Sequence, residues 1–459
     1  MPEATAISAL WSQCQSTAKG TYMTLLRLEP AKLLLLGYLS YIVIGWILLS
    51  LPFAQEHAVG ALDNLFMASS AVSTTGLITV DTGGSYTFFG ELVLLLLIQF
   101  GGLGYMTIGS FAILALHNSL SGIHEKSAKA AFNLPDDIKP SAFVLSVVVF
   151  TLICEIIGST ALYFMFASAG VDNALWSAIF HAISAFCTAG FSLFSNSFED
   201  FSNHAGINIV ISILSILGAM GFLIVVDAWR TLTAQKRRLG FTSTIIMRMT
   251  VLLIVGASLI LFVVEPSLQT LEPRERFLGA MFQAMTASTT VGFNTMPLSA
   301  FSMSALVIFF LLMAVGASPA GTGGGLKTTN LAALIGLVRS SLRNRKKVVY
   351  LDRKVPDNKV KTASASLTFY LAVLIISLFL LGLTEPGHAF EVIMFEAMSA
   401  LGTVGLSMGL TGELSDLGKL IIIVLMTAGR VGILTFGIAL ATSETRAKAS
   451  KEDDELVVE

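Results

Sequence analysis

Phe66-Met-Ala-Ser-Ser-Ala-Val-Ser-Thr-Thr-Gly-Leu77 decides how this chain of 459 residues folds, because the same twelve-residue pattern returns three times. Written as Phe-x-Ala-x-[Ser/Thr]-Ala-x-x-Thr-x-Gly-[Leu/Phe], it recurs from Phe180 to Phe191, from Phe282 to Phe293 and from Phe395 to Leu406. Seven positions held in register through four copies exceed chance, so the chain contains four copies of one structural unit.

Composition sets the environment. Hydrophobic residues make up 54% of the chain and charged residues 13%, about half the charged share of a soluble domain. Apolar runs long enough to span a bilayer, about 20 residues each, are expected near 33–51, 90–116, 141–168, 206–229, 245–264, 302–338, 364–383 and 418–441, which makes eight transmembrane helices, two per unit. The first run begins too late and is too long for a cleavable signal. Between the two helices of each unit lies a shorter stretch, 62–75, 174–189, 276–291 and 389–404, that carries the pattern. Segments this short, flanked by full spans, are expected to be re-entrant, a half-helix returning as extended backbone after its threonine. The expected fold is therefore an all-α membrane protein, with four helix–pore helix–helix repeats arranged pseudo-fourfold around one central pore.

The divisions follow: 1–30 an N-terminal segment, 31–116 repeat 1, 117–139 a loop, 140–233 repeat 2, 234–338 repeat 3, 339–361 a basic loop, 362–444 repeat 4 and 445–459 a tail. Placing both termini and the inter-repeat loops in the cytoplasm puts 23 of the 28 lysines and arginines inside, the bias expected of such loops. Acids such as Asp63, Asp81, Glu91, Asp172, Glu199, Asp200, Glu391 and Glu413 then gather outside. That distribution serves as an orientation signal and could also concentrate cations at an entrance. The acidic end of the tail has the composition of a disordered segment. Cys14, Cys154 and Cys187 are too scattered for a disulfide framework; Cys187 reads as a small packing residue.

An ion entering a narrow pore exchanges its water shell for oxygen ligands, and rings of backbone carbonyls do this in potassium channels. Here one chain supplies four loops. Gly76, Gly190, Gly292 and Gly405 permit the φ > 0 geometry that turns carbonyls inward. Thr74, Thr188, Thr290 and Thr403 can add a hydroxyl oxygen or anchor the loop to the preceding half-helix. With the residues between them, Thr75, Ala189, Val291 and Val404, they form the candidate ion-binding filter. The matched core positions lack carboxylates, which favours a monovalent cation over calcium or magnesium. Glu396, where the other copies carry Met67, His181 and Gln283, reads as a helix-mouth or packing feature.

Two further features bear on conduction. Gly316, Ala317, Ser318, Pro319, Ala320, Gly321, Thr322, Gly323, Gly324 and Gly325 interrupt the expected sixth span with five glycines and a proline, and lipid tolerates such backbone only where it lines water or is covered by protein. A loop there would obstruct the path below the third filter. Gly321–Thr328 approaches a phosphate-binding loop, but Leu326 stands at the required second glycine and no strand precedes it, so nucleotide binding is rejected. Arg430 lies midway along the last span, where a charge faces a pore or a partner; it could hold the interrupted segment by its carbonyls or act as an electrostatic barrier.

These residues resemble the membrane subunit of bacterial potassium uptake systems of the Trk/Ktr/HKT superfamily, and within it the KtrB type, over nearly all of 30–441. The resemblance implies selection of K+ at the four filters, with glycine at all four filter positions, and a gate formed by 316–325 with Arg430. It also implies Na+ as a candidate activator, a homodimer in the bacterial plasma membrane, and a cytosolic ring of nucleotide-binding RCK/KTN subunits of the KtrA type. Cofactors within this chain and nucleic acid are not expected. The basic loop 339–361 fits either the ring or anionic membrane lipid. The alternative is a cation symporter with alternating access, coupled to protons or sodium, in which Glu155 and Asp227 would relay protons. Catalysis is not expected, because the six histidines show no ligand spacing.

Overall fold

The computed structural model describes residues 30–104, 140–233 and 238–441. The N-terminal segment up to residue 29, the loop 117–139, the tail 445–459 and the stretch 105–116 expected to complete the second span lie outside the described residues. The described chain is helical apart from one small hairpin, β1 (Val349–Tyr350) and β2 (Arg353–Lys354).

Each repeat of the pattern sits on the same run of elements. A long helix comes first: α1 (Pro30–Leu49), α4 (Pro140–Ser168), α8 (Phe241–Val264) and α12 (Asp357–Thr384). A short helix follows: α2 (Ala61–Val72), α5 (Ala174–Phe186), α9 (Pro273–Thr289) and α13 (Phe390–Gly402). The third element is α3 (Phe88–Leu103), α6 (Ala205–Met220), α10 (Met303–Ala314) and α14 (Asp416–Val431). After a break come α7 (Phe222–Leu232), α11 (Thr328–Leu342) and α15 (Ile433–Leu440) in the last three units. Each third element begins on a side-chain acceptor, Thr87, His204, Ser302 or Ser415, taking an N–H of the first turn, which satisfies one of the orphan donors of a helix start. Glu265 and Glu385, at the ends of α8 and α12, reinforce two of these starts by accepting from the hydroxyls of Ser302 and Ser415 at 2.7 and 2.6 Å.

The chain is a multi-pass membrane protein, but its spans differ from the eight expected, of which only the sixth was expected to be interrupted. Among the described residues four helices are long and apolar enough to cross a membrane, the first helix of each unit, and up to six if each bent pair counts as one span. Their outward faces expose Ile44, Ile47, Ile156, Ile157, Phe164, Leu252, Leu259, Ile375 and Phe379, side chains that a bilayer solvates and water does not. In units two and four the second helix, expected to be continuous, is broken, and in unit one α3 ends at Gly104, where the described residues stop. α6 and α7 meet at 90° and α14 and α15 at 107°. The cause is glycine: Gly104, Gly221 and Gly432 take φ of 78°, 87° and 95°, which ends the α-helical hydrogen-bond ladder at a position only glycine adopts without strain.

Among the described residues the three largest apolar clusters each cross a seam. The cluster of the first unit takes in Phe180, Cys187 and Phe191 of the second. That of the second takes in Phe282, Val291 and Phe293 of the third. The cluster spanning the third and fourth takes in Phe66 and Leu77 of the first. The leading phenylalanine of the pattern, buried in every copy, thus wedges one unit into its neighbour, and the units close into a ring.

Candidate functional site

The centre of that ring is built by the chain just after each short helix. α9 and α13 end on Thr290 and Thr403 in the left-handed conformation, and Thr74 and Thr188 adopt it after α2 and α5, with φ of 49°, 51°, 59° and 51° in chain order. A β-branched residue there is an outlier, and strain of this kind persists only where the surroundings over-determine it. Two residues later Gly76, Gly190, Gly292 and Gly405 take φ of 90°, 69°, 85° and 87°, the conformation expected of them. The threonine conformation had no sequence signal, since residue type argues against it.

The glycines also touch one another's loops in cyclic order. A Cβ on Gly76 would stand 2.4 Å from the carbonyl oxygen of Ala189. One on Gly190 would stand 2.3 Å from that of Val291, one on Gly292 2.3 Å from Val404, and one on Gly405 2.0 Å from Thr75. The expected filter residues are therefore brought together, each loop against the next and the fourth against the first. Any side chain at these glycines would strike backbone.

The [Ser/Thr] of the pattern does more than keep the half-helix slim. The carbonyls of Ser70, Ser184, Thr286 and Ser399 accept from the N–H of Thr75, Ala189, Val291 and Val404 at 2.8–3.1 Å, while the hydroxyls of Ser70 and Ser399 accept from Gly76 and Gly405 at 3.1 Å. The variable second position braces the chain that leaves the ring. His181 bonds Ser192 at 2.9 Å, Gln283 donates to the Met296 carbonyl at 3.3 Å, and Glu396 accepts from Ser407 at 2.9 Å and from Thr411. Glu396 is thus a fully buried brace of the fourth loop.

On one side of the ring lies a cavity of about 300 Å³ bordered by all four glycines and by Ser192, Asn294, Ser407 and Glu199. Burial raises the Glu199 carboxyl above the ordinary range, against the hydrogen bond from Asn294 at 2.7 Å, which lowers it.

The opposite side is occupied by 316–325. This segment was expected below the third loop; it meets all four. The Thr322 carbonyl accepts from Thr74 at 3.3 Å, and the Thr322 hydroxyl lies 3.1 Å from that of Thr188. A Cβ on Gly323 would fall 2.1 Å from the Thr290 hydroxyl, and the Gly324 N–H donates to the Thr403 hydroxyl at 2.9 Å. The four threonine hydroxyls thus face the interrupting segment instead of anchoring to their own half-helices. The segment docks on the broken end of α6, with Ser318 and Thr322 donating to the Ala219 and Gly218 carbonyls at 3.0 and 3.1 Å. Val315 and Leu326 pair as a single bridge that pinches its ends.

Two cations hold it. Arg430, at the end of α14, donates to the Thr322 carbonyl and to the carbonyls of Gly101 and Gly102 on α3. Lys327, which sequence reasoning left without a role, donates to the Gly323 and Gly324 carbonyls at 2.7 and 3.4 Å. Three consecutive carbonyls of the segment are therefore occupied by the protein's own charges.

Glu155 and Asp227 lie off the ring. Glu155 accepts from Gln99 at 3.2 Å, and Gln99 accepts in turn from Cys187 at 3.4 Å; Asp227 accepts from the Gly240 N–H at 2.5 Å. Among the described residues, His, Cys, Asp and Glu do not converge in threes.

Four loops in cyclic contact, with a cavity on one side and a segment held by Arg430 and Lys327 on the other, sit at the heart of a multi-pass membrane protein. The chain belongs to the TrkH family of cation transport proteins, whose model matches residues 39–450. It is 35% identical to the Ktr system potassium uptake protein B of Vibrio alginolyticus, over 93% of this chain and 94% of that protein. The protein of the same description from Bacillus subtilis is 34% identical over 91% and 94%. The potassium/sodium uptake protein NtpJ of Enterococcus hirae is 31% identical over 92% and 95%. The potassium transporter TrkH from Vibrio parahaemolyticus shares the fold, with a TM-score of 0.69 over 88% of this chain and 84% of that one at 21% identity. The chain is a transporter, as these relatives are, and not an enzyme.

Proposed function

We propose that this chain takes up K+ across the plasma membrane through a gated filter formed by its four loops. The observation that carries the reading is the cyclic contact of Gly76, Gly190, Gly292 and Gly405 with the carbonyls of the neighbouring loops. Four loops related in this way supply inward-facing oxygens at one level, which replace the hydration of an ion with backbone ligands. The relatives' names supply potassium as the ion. Sodium in the name of the Enterococcus protein supports testing Na+ as a second cargo or activator.

In this reading the unit repeats helix, re-entrant half-helix, loop and broken helix four times, with the cavity of the ring facing outward. Glu199 draws cations toward it. Residues 316–325 form the gate. Their contacts with the four threonines close the inner side of the ring, and Arg430 and Lys327 hold the loop there until it is displaced. The basic stretch from Arg339 to Lys361 faces the cytoplasm, where a separate nucleotide-binding ring of regulatory subunits would act on the gate of a homodimer.

Uptake into cells lacking other potassium systems tests the assignment. Gly76→Ser and Gly292→Ser place a side chain against backbone, at a strain of about 1–3 kcal/mol, and are expected to lower K+ over Na+ selectivity by roughly 10-fold or more. Unchanged selectivity in protein that reaches the membrane would contradict it.

A further inference from the structure

An apolar groove of about 560 Å³ lies where the broken third unit splays open, between the end of α10, one face of α11 and Leu367 of α12. Its floor is made by Val315 and Leu326, the pair that pinches the ends of the proposed gate. Its wall is the exposed side of α11, with Ile335 and Val338. Asn330 is the one polar neighbour near Thr328, and charge enters the lining only at the far end. Arg339 and Arg343 border the groove about one turn apart, and both are exposed, with guanidiniums that make no hydrogen bond or ion pair among the described residues. Arg345, Lys346 and Lys347 follow immediately.

The dimensions match one leaflet of a bilayer. At about 1.5 Å per residue, α11 carries Arg339 and Arg343 roughly 16–22 Å from Thr328 beside the gate, and half of a hydrocarbon core is about 15 Å. With α11 along the bilayer normal and the proposed gate at the midplane, this length would carry the guanidiniums to the level of the phospholipid phosphates.

We propose that this groove binds one anionic phospholipid, its acyl chain lying along α11 against Val315 and Leu326 and its phosphate between Arg339 and Arg343. Charge chooses this occupant. An apolar helix from a second copy would fill the groove but leave two unpaired guanidiniums at its end, whereas an anionic headgroup neutralises them. A pocket of this size is also in the range that encloses a discrete ligand. Because the chain end rests on the residues that frame 316–325, occupancy stiffens the base of that segment. This coupling rests on the gate reading; the binding itself does not.

The test uses the full-length protein. Phosphatidylglycerol and phosphatidylcholine are titrated separately, retained lipid is counted by native mass spectrometry, and K+ flux is measured in phosphatidylcholine vesicles with and without phosphatidylglycerol. The wild type is expected to retain phosphatidylglycerol preferentially. Each arginine near the surface is worth about fivefold, so Arg339→Gln with Arg343→Gln should weaken retention about 30-fold. Leu334→Trp, which fills the groove and keeps both arginines, should displace the lipid as well. Equal retention by the wild type and the double variant would overturn the site. So would efficient cross-linking of Ile335→Cys between copies with no effect on phosphatidylglycerol retention, which would assign the groove to a second chain. Flux indifferent to phosphatidylglycerol, with retention as expected, would overturn the coupling to the gate and leave the glycine test of the filter untouched.

Discussion

Ser399 illustrates how much the ring depends on hydroxyls that hold backbone rather than touch an ion. Its hydroxyl is the acceptor for the half-buried N–H of Gly405, and removing it loses one hydrogen bond, at a cost of about 1 kcal/mol. Ser399→Ala is expected to lower thermal stability by that amount. Thr286→Val should cost far less, because the Thr286 hydroxyl has no partner among the described residues. Equal midpoints for the two variants in a thermal unfolding assay would contradict this. Glu199 gives a pH-dependent counterpart. With its folded pKa raised by burial, it loses its charge as pH falls while free glutamates, near pKa ~4.3, are still ionised. Uptake from dilute K+ is therefore expected to decline on mild acidification. Glu199→Gln should lower the neutral-pH rate and flatten that decline, and an unchanged pH profile would exclude the carboxylate. Residue identity announced Gly76 and its equivalents, because only glycine is at ease at positive φ. It concealed Thr74, Thr188, Thr290 and Thr403, because β-branched residues avoid that conformation and only the assembled ring imposes it.

Among the elements, the interrupted third unit was legible because five glycines and a proline cannot sustain a helix. The breaks at Gly221 and Gly432 were not, since one glycine inside an apolar run is compatible with a continuous span. What fixes them is tertiary. Gly101, Gly218 and Gly429, each three residues before a break, lie against the carbonyls of Val72, Phe186 and Leu401 in the last turn of a half-helix, where a Cβ would approach to 2.1, 1.9 and 2.2 Å. The spacing Gly-x-x-Gly, shared by the second helices of units one, two and four, is the signal that could have found them. The breaks also decide where the interrupting segment lies, because 318–322 borrows the carbonyls freed at the end of α6. Arg430→Gln removes the charge that ties Thr322 to α3 and is expected to raise K+ flux severalfold in vesicles. Deleting 317–325 should raise it further. A deletion that folds and conducts no faster than the wild type would remove the gate assignment.

At the scale of the molecule, the fourfold pattern told that four units exist, and the seams tell how they close. Phe66 packs with the third and fourth units, Phe180 with the first and Phe282 with the second, so the repeated phenylalanine that opened the reading is the wedge between neighbours. That role was invisible in sequence, where a buried phenylalanine looks the same within a unit as between two. The cyclic contact of the four loops follows from the wedges, and the proposed ion passage rests on that contact. The direct test is a heavy-ion substitution: anomalous diffraction from the full-length protein soaked in Tl+ or Rb+ in place of K+. Density is expected on the axis enclosed by the carbonyls of Thr75, Ala189, Val291 and Val404, reduced in Gly292→Ser. Ions located elsewhere in the molecule, with that axis empty in the wild type, would contradict the proposed passage.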